Sequence, residues 1–160
     1  MKVQVRYTER TCLNPLAFFK LAKKFCYGLK FKVIISFDNR IKNYGHYIFD
    51  SKRKTHIIRI SPNRKEKEVS IHKHIFISTL IHELRHAHQK EKKGVEFWTK
   101  KYICSPEIKL IDFSTFFSLR EIDARIFENK NILLAIKTYN NFEKRILIEY
   151  NTTSKTSNLS

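Results

Sequence analysis

The chain has 160 residues, enough for one domain with a single hydrophobic core. Its 42% hydrophobic content, with only three glycines and three prolines, excludes a disordered or fibrous protein. A net charge of +17 favours a polyanionic partner, either nucleic acid or an acidic protein, bound mainly by the basic N-terminal part. Bulk solubility of a lysine-rich chain explains the same charge equally well.

Cysteine usage and hydropathy indicate where the chain resides. Cys12, Cys26 and Cys104 are widely spaced and form no C-x-x-C pair, so neither a disulfide framework nor a zinc ribbon is predicted. The N-terminus has no apolar leader, and no apolar run reaches the roughly 18 residues of a membrane span. We therefore expect a cytoplasmic protein without a membrane anchor.

The first half of the chain predicts one helix and a small sheet. A short strand over Val3–Tyr7 precedes Asn14 and Pro15, which are typical N-cap and first-turn residues, so a helix is predicted over residues 16–29. Three β-rich runs follow, separated by turn-forming and charged segments. They predict a three-stranded antiparallel meander with strands at residues 31–37, 46–50 and 55–61.

The second half is predicted to be helical. Ser70 is a plausible N-cap for a long helix from Ile71 to about Lys92, where apolar residues recur at near-helical spacing. Further elements are a short helix within residues 95–106, a loop near Pro106, and helices at 114–128 and 132–150. Residues 151–160 are predicted to be a disordered polar tail. The order gives an α+β domain over residues 1–150.

The long helix carries the pattern H-E-x-x-H in His82, Glu83 and His86. Positions four apart differ by about 40° around a helix and by about 6 Å along it, so both imidazoles can reach one ion. Zinc favours such nitrogen ligands, and a catalytic zinc keeps one position open for water. Glu83 is then placed to take a proton from the metal-bound water as general base.

The third ligand must come from elsewhere. His88 lies about 200° around the helix from His86 and is predicted to be a surface residue. The remaining histidines are expected in surface or hydrogen-bonded roles: His46, His56, His72 and His74. Downstream, the segment "LREIDARIFE" offers Glu121, Asp123 and Glu128. Helical phase places Asp123 inside an apolar arc, with Glu121 at its edge; the arc comprises Phe116, Leu119, Ile122, Ile126 and Phe127.

The pair "HELRHAHQ" and "REIDARIF" resembles small zinc metallopeptidases of the gluzincin type, which carry a helical E-x-x-A motif after H-E-x-x-H. The resemblance implies a zincin-like fold and one Zn²⁺ ion bound by His82, His86 and Glu121, with Ala124 as the small residue of the motif. Arg125 departs from the pattern, because many relatives carry there an acid or amide that orients a ligand histidine.

Two neighbouring groups of zinc peptidases fit less well. The SprT-like proteases, which act on DNA-bound proteins, are similar in basic charge and element order, but they use a third histidine. The metzincins are excluded, because Met1 is the only methionine and no third histidine follows the motif.

Two functions follow from these residues. The first is a zinc metallopeptidase that acts on protein or peptide substrates, with Glu83 as the catalytic residue. The alternative is a nucleic-acid-binding module with a structural or vestigial metal site, whose contacts to phosphate come from Lys20, Lys23, Lys24 and the "SKRK" turn. For this helix the sequence favours ordinary core packing through Leu16, Phe19, Ala22 and Cys26, which leaves the lysines in solvent.

Overall fold

The structure is a computed structural model that describes residues 2–6, 12–38, 40–61, 69–92 and 113–156. In these ranges a four-stranded sheet is combined with three helices, so the chain has a mixed α+β architecture. The short helix predicted within residues 95–106 and the loop near Pro106 lie outside the described residues. The elements are β1 Val3–Arg6, α1 Pro15–Phe25, β2 Lys32–Phe37, β3 Gly45–Asp50, β4 Thr55–Ile60, α2 Val69–Lys92 and α3 Phe113–Thr156.

Helix α1 begins as predicted, because the side chain of Asn14 accepts hydrogen bonds from the backbone N–H groups of Leu16 and Ala17. The predicted core face is right in part. Ala22 and Cys26 are fully buried as predicted and Phe19 is partly buried, whereas Leu16 is about half exposed. The other buried residues of the helix are Ala17, Phe18 and Leu21.

The sheet differs from the predicted antiparallel meander. Its strand order is β1-β2-β4-β3; β1 and β4 both pair with β2 in parallel, and only β3 and β4 are antiparallel. The prediction of a mostly antiparallel sheet is therefore wrong. Strands β3 and β4 form the hairpin, but β4 rather than β3 lies beside β2. Central strands are covered on both faces and are rich in Val and Ile, which suits "KVIISF" and "HIIRI" better than "GHYIFD".

The core lies between the helices and the face of the sheet that carries Val33, Ile35 and Phe37, all fully buried. The Phe37 ring packs against Phe18 of α1 and Phe76 of α2, with centroids 5.6 and 5.7 Å apart. Helix α2 lies against β3 and β4, and α3 packs on both α1 and α2. This arrangement holds α2, which carries the H-E-x-x-H motif, between the sheet and α3.

Helix α3 is one continuous helix of 44 residues instead of the two predicted helices, and it continues through Thr156 into the segment predicted to be a disordered tail. The linking residues 129–131 contain neither Gly nor Pro, and the Asn131 side chain donates to the carbonyl of Phe127 at 2.7 Å.

The predicted N-cap of α2, Ser70, is wrong, because the helix already begins at Val69. Within the described ranges, no helix has both the length and the apolar composition needed to cross a bilayer.

Candidate metal centre

Helices α2 and α3 bring three side chains to one point. The imidazole rings of His82 and His86 lie one turn apart on α2, with centroids separated by 5.0 Å. Glu121 faces them from α3: one carboxylate oxygen is 3.2 Å from His82 Nε2, and the other is 3.1 Å from His86 Nε2. One potential ligand atom from each of the three residues lies within 4.8 Å of the other two. This is the triad expected from the sequence.

The second nitrogen of each imidazole faces a hydrogen-bond acceptor. His82 Nδ1 lies 3.1 Å from a carboxylate oxygen of Glu128, and His86 Nδ1 lies 2.9 Å from the side-chain oxygen of Gln89. The Gln89 amide is fixed in this orientation, because its NH₂ group donates to the Asp123 carboxylate and to the carbonyl of Arg120, at 2.7 and 3.1 Å. Both histidines therefore donate from Nδ1.

These hydrogen bonds decide what the Nε2 atoms can do. Burial lowers the pKa of His86, which favours the neutral ring. A neutral imidazole that is protonated at Nδ1 has a lone pair at Nε2, directed here at the Glu121 carboxylate, which also offers only lone pairs. Acceptors that converge in this way repel one another unless a cation lies between them.

The charges around His82 act in the same direction. Burial lowers the pKa of His82, but the hydrogen bond to Glu128 and the negative charges of Glu83 and Glu121 outweigh burial, so the pKa is raised overall. The group of carboxylates thus produces a negative potential that favours a cation beside this ring.

The spacing of the triad suits a single divalent ion. Two ligands bound to zinc at about 2.0 to 2.1 Å in tetrahedral geometry are separated by about 3.3 Å. Each imidazole Nε2 atom lies near that separation from one Glu121 oxygen, His82 at 3.2 Å from Oε2 and His86 at 3.1 Å from Oε1. Two imidazoles and one carboxylate also form a ligand set used by catalytic zinc sites. The residues therefore fit a bound metal ion.

Glu83 is buried beside the triad, and burial raises its pKa to about 7. Its position depends on Gly45 at the start of β3. A Cβ atom at residue 45 would lie 2.5 Å from the Glu83 carboxylate and 2.5 Å from the Thr79 methyl group. The edge strand can approach α2 this closely only because residue 45 has no side chain.

The structure separates the roles of Glu121 and Asp123. Asp123 accepts two hydrogen bonds from Arg85, at 2.6 and 3.1 Å, and one from Gln89, so it supports His86 through Gln89 instead of lying in the triad. The apolar arc inferred from periodicity is wrong at Ile122 and Ile126, which are about half exposed, whereas Phe127 is partly buried against the core. The side chains of Phe116 and Leu119 lie outside the described part of the chain. The buried residue at this level of α3 is Ala124, whose small side chain lets α3 lie close to α2.

Two other histidines are buried in structural roles. His88, predicted to be a surface residue, is buried and donates from Nε2 to the carbonyl of Phe25 at 3.0 Å. His56 is fully buried between the Tyr47 hydroxyl and the Glu91 carboxylate, at 2.9 and 2.8 Å. Burial lowers the pKa of His56, consistent with a neutral ring. His46 and His74 are exposed, and the His72 side chain lies outside the described part of the chain.

The supporting residues were not assigned from the sequence, although helical spacing contained a signal for two of them. Gln89 follows His86 by three positions, and Glu128 follows Glu121 by seven, so each shares a helix face with a member of the triad. The close approach at Gly45 depends on how β3 packs against α2, which the sequence did not predict.

Comparisons of the chain with family models, with curated proteins and with solved structures find no match. A function for this site therefore rests on its side chains.

We predict that the residues behind the triad set its metal affinity. Glu128→Leu and Gln89→Leu should each weaken Zn²⁺ binding by about 10- to 100-fold, because the histidine that each one holds loses its orientation and tautomer. The measurement is a competition titration with a chelating fluorophore. Glu128→Gln should recover part of the loss, because its amide oxygen can still accept from His82.

The control for this series is Glu143→Gln. Glu143 is a carboxylate of the same helix that binds Lys73 and Tyr139 away from the site. An equal loss of affinity in Glu143→Gln and Glu128→Leu would contradict a specific role for Glu128.

Proposed function

We propose that the protein is a zinc-dependent metallopeptidase with a zincin-like site, in which His82, His86 and Glu121 hold the ion. The observation that carries this proposal is the convergence of two imidazole Nε2 atoms and one carboxylate. A structural zinc site usually has four protein ligands, whereas three ligands leave a position for a reacting molecule.

Glu83 has the properties of a general base. It follows a ligand histidine in α2, lines the same cavity as the triad, and has a pKa raised to about 7 by burial. A base with a pKa near the working pH can both accept and return a proton. In the proposed reaction Glu83 accepts a proton from the attacking water and later delivers it to the leaving amine. Bound zinc supplies Lewis-acid polarisation and lowers the pKa of water.

The cavity has room for a peptide. It has a volume of about 980 Å³ and lies between the beginning of β3 and helix α3, with the triad in its wall. Strand β3 ends the sheet on this side of the described structure, since the strand order is β1-β2-β4-β3. An extended substrate could add to this edge by main-chain hydrogen bonds, which give affinity without a fixed sequence.

We expect the purified protein to bind about one zinc per chain and to cleave a denatured protein substrate. Glu83→Gln should leave zinc binding intact and reduce kcat at least about 100-fold, because the amide keeps the shape of the side chain but cannot accept the proton. Zinc is measured by atomic absorption and cleavage by release of labelled peptides. Absence of both zinc and cleavage in the wild-type protein would contradict the proposal.

Gly45→Ala tests the position of the base separately from its chemistry. The added methyl group would overlap the Glu83 carboxylate, so kcat should fall at least about tenfold with zinc content unchanged. Gly28→Ala is the matched control. Gly28 has a φ of 84° and nothing within 4 Å of an added Cβ, so this change should lower stability by about 1 kcal/mol and leave kcat unchanged. Equal activity of Gly45→Ala and the wild type would remove this role for Gly45.

Nucleic-acid binding is the second candidate function, favoured by a surface on α1 where Lys20, Lys23 and Lys24 surround Tyr27. The Tyr27 side chain is 87% exposed and could stack on a base, while the lysines contact phosphates.

For this candidate, the affinity for a single-stranded oligonucleotide should fall steeply between about 50 and 200 mM salt and should be unaffected by Glu83→Gln. Tyr27→Ala should weaken binding, by about 1 to 3 kcal/mol if one base stacks on the ring. Fluorescence anisotropy measures both effects, and binding that does not depend on salt would eliminate this candidate.

A further inference from the structure

The charged groups that line the cavity fall into two sets. Three carboxylates, those of Glu83, Glu121 and Glu128, lie at the triad. Three permanent cations lie around them: Lys42 from the segment before β3, and Arg120 and Arg125 from α3. The exposed imidazole of His46 in β3 also lines the cavity.

The carboxylates already have partners within the site. Glu121 lies against both ligand histidines, and Glu128 accepts from His82 and from the hydroxyl of Ser78. Glu83 is buried at Gly45. A divalent ion at the triad offsets two of the three negative charges, so together with Lys42, Arg120 and Arg125 the cavity has an excess of positive charge.

The cations are placed to act on a bound molecule. Lys42 and Arg125 are exposed, so both are accessible from the cavity. The Arg120 guanidinium donates to the Gln89 oxygen at 3.3 Å, directly behind His86.

We propose that the peptidase prefers acidic substrates, with Asp or Glu close to the scissile bond, and that Lys42 and Arg125 in the lining of the cavity select them. This inference rests on the proposed function. Lys42 comes from the segment before β3 and Arg125 from α3, so the two cations reach the cavity from different elements and acidic side chains of a bound peptide would meet a positive charge. Each favourable charge pair near the surface should change kcat/KM by about fivefold.

A peptide suits this cavity better than a nucleic acid. The Glu121 and Glu128 carboxylates lie within the same wall, where closely spaced phosphates would approach them. A peptide with acidic residues on either side of a neutral stretch can reach the outer cations and leave only its main chain at the triad.

The test uses two libraries of quenched fluorescent peptides that differ only in having Asp and Glu, or Asn and Gln, at the varied positions. The zinc-loaded wild-type protein should cleave the acidic library about fivefold faster at low salt, and the ratio should approach one in about 0.5 M NaCl. Anisotropy of the same peptides on zinc-loaded Glu83→Gln measures the preference without turnover and should show the same ratio in affinity.

The double variant Lys42→Glu/Arg125→Glu should lose or reverse the preference. Its matched control is Lys137→Glu/Arg145→Glu, which makes the same charge change at exposed positions of α3 outside the cavity and should keep the preference. Equal rates on both libraries, or an equal loss of preference in the two double variants, would overturn the inference. The proposed peptidase function would not be affected by either result. Inhibition by single-stranded oligo(dT) at lower concentration than by an acidic peptide would also overturn it. No cleavage of either library would defeat the proposed function itself.

Discussion

The site depends on the hydrogen bonds behind its two histidines. Once Glu128 and Gln89 accept from the Nδ1 atoms, the Nε2 atoms of His82 and His86 both face Glu121. The Nε2 atom of neutral His86 presents a lone pair, and the raised pKa of His82 favours a cation at its Nε2 atom, either a proton or a metal ion. The acceptors behind the rings keep them from turning apart. The arrangement therefore favours a cation, and it is this requirement, more than the H-E-x-x-H pattern, that connects the sequence to metal chemistry.

Packing of α2 makes that arrangement rigid. One side of the helix buries Phe76, Ile77, Leu80 and Leu84 in the core, while the other carries the imidazoles toward α3. Small residues set the distances on both flanks: Ala124 lets α3 approach, and Gly45 lets β3 approach. A site on a helix that is packed on two sides holds its geometry better than a site on a loop. The stability of the core and the precision of the site thus have a common source.

The local charge differs from the charge of the whole chain. A protein with a net charge of +17 places three carboxylates in the wall of one cavity, which requires close partners for each of them. Glu121 and Glu128 have such partners in the histidines and the Ser78 hydroxyl, and Glu83 is buried at Gly45. Lys42 and Arg125, which line the same cavity, are exposed. The proposed metal binding and the proposed substrate selection therefore use different groups.

The sequence by itself determined the α1 N-cap, the long α2 helix, and the spacing that places His82 and His86 on one face, because these depend on contacts between residues close in the chain. Tertiary structure decided the parallel insertion of β4 beside β2, the burial of His88, and the exposure of Ile122 and Ile126. Strand order depends on which apolar faces can be covered at once, which no local window contains. Local spacing left Glu121 and Asp123 both open, whereas the rotation of α3 against α2 put only Glu121 beside both imidazoles.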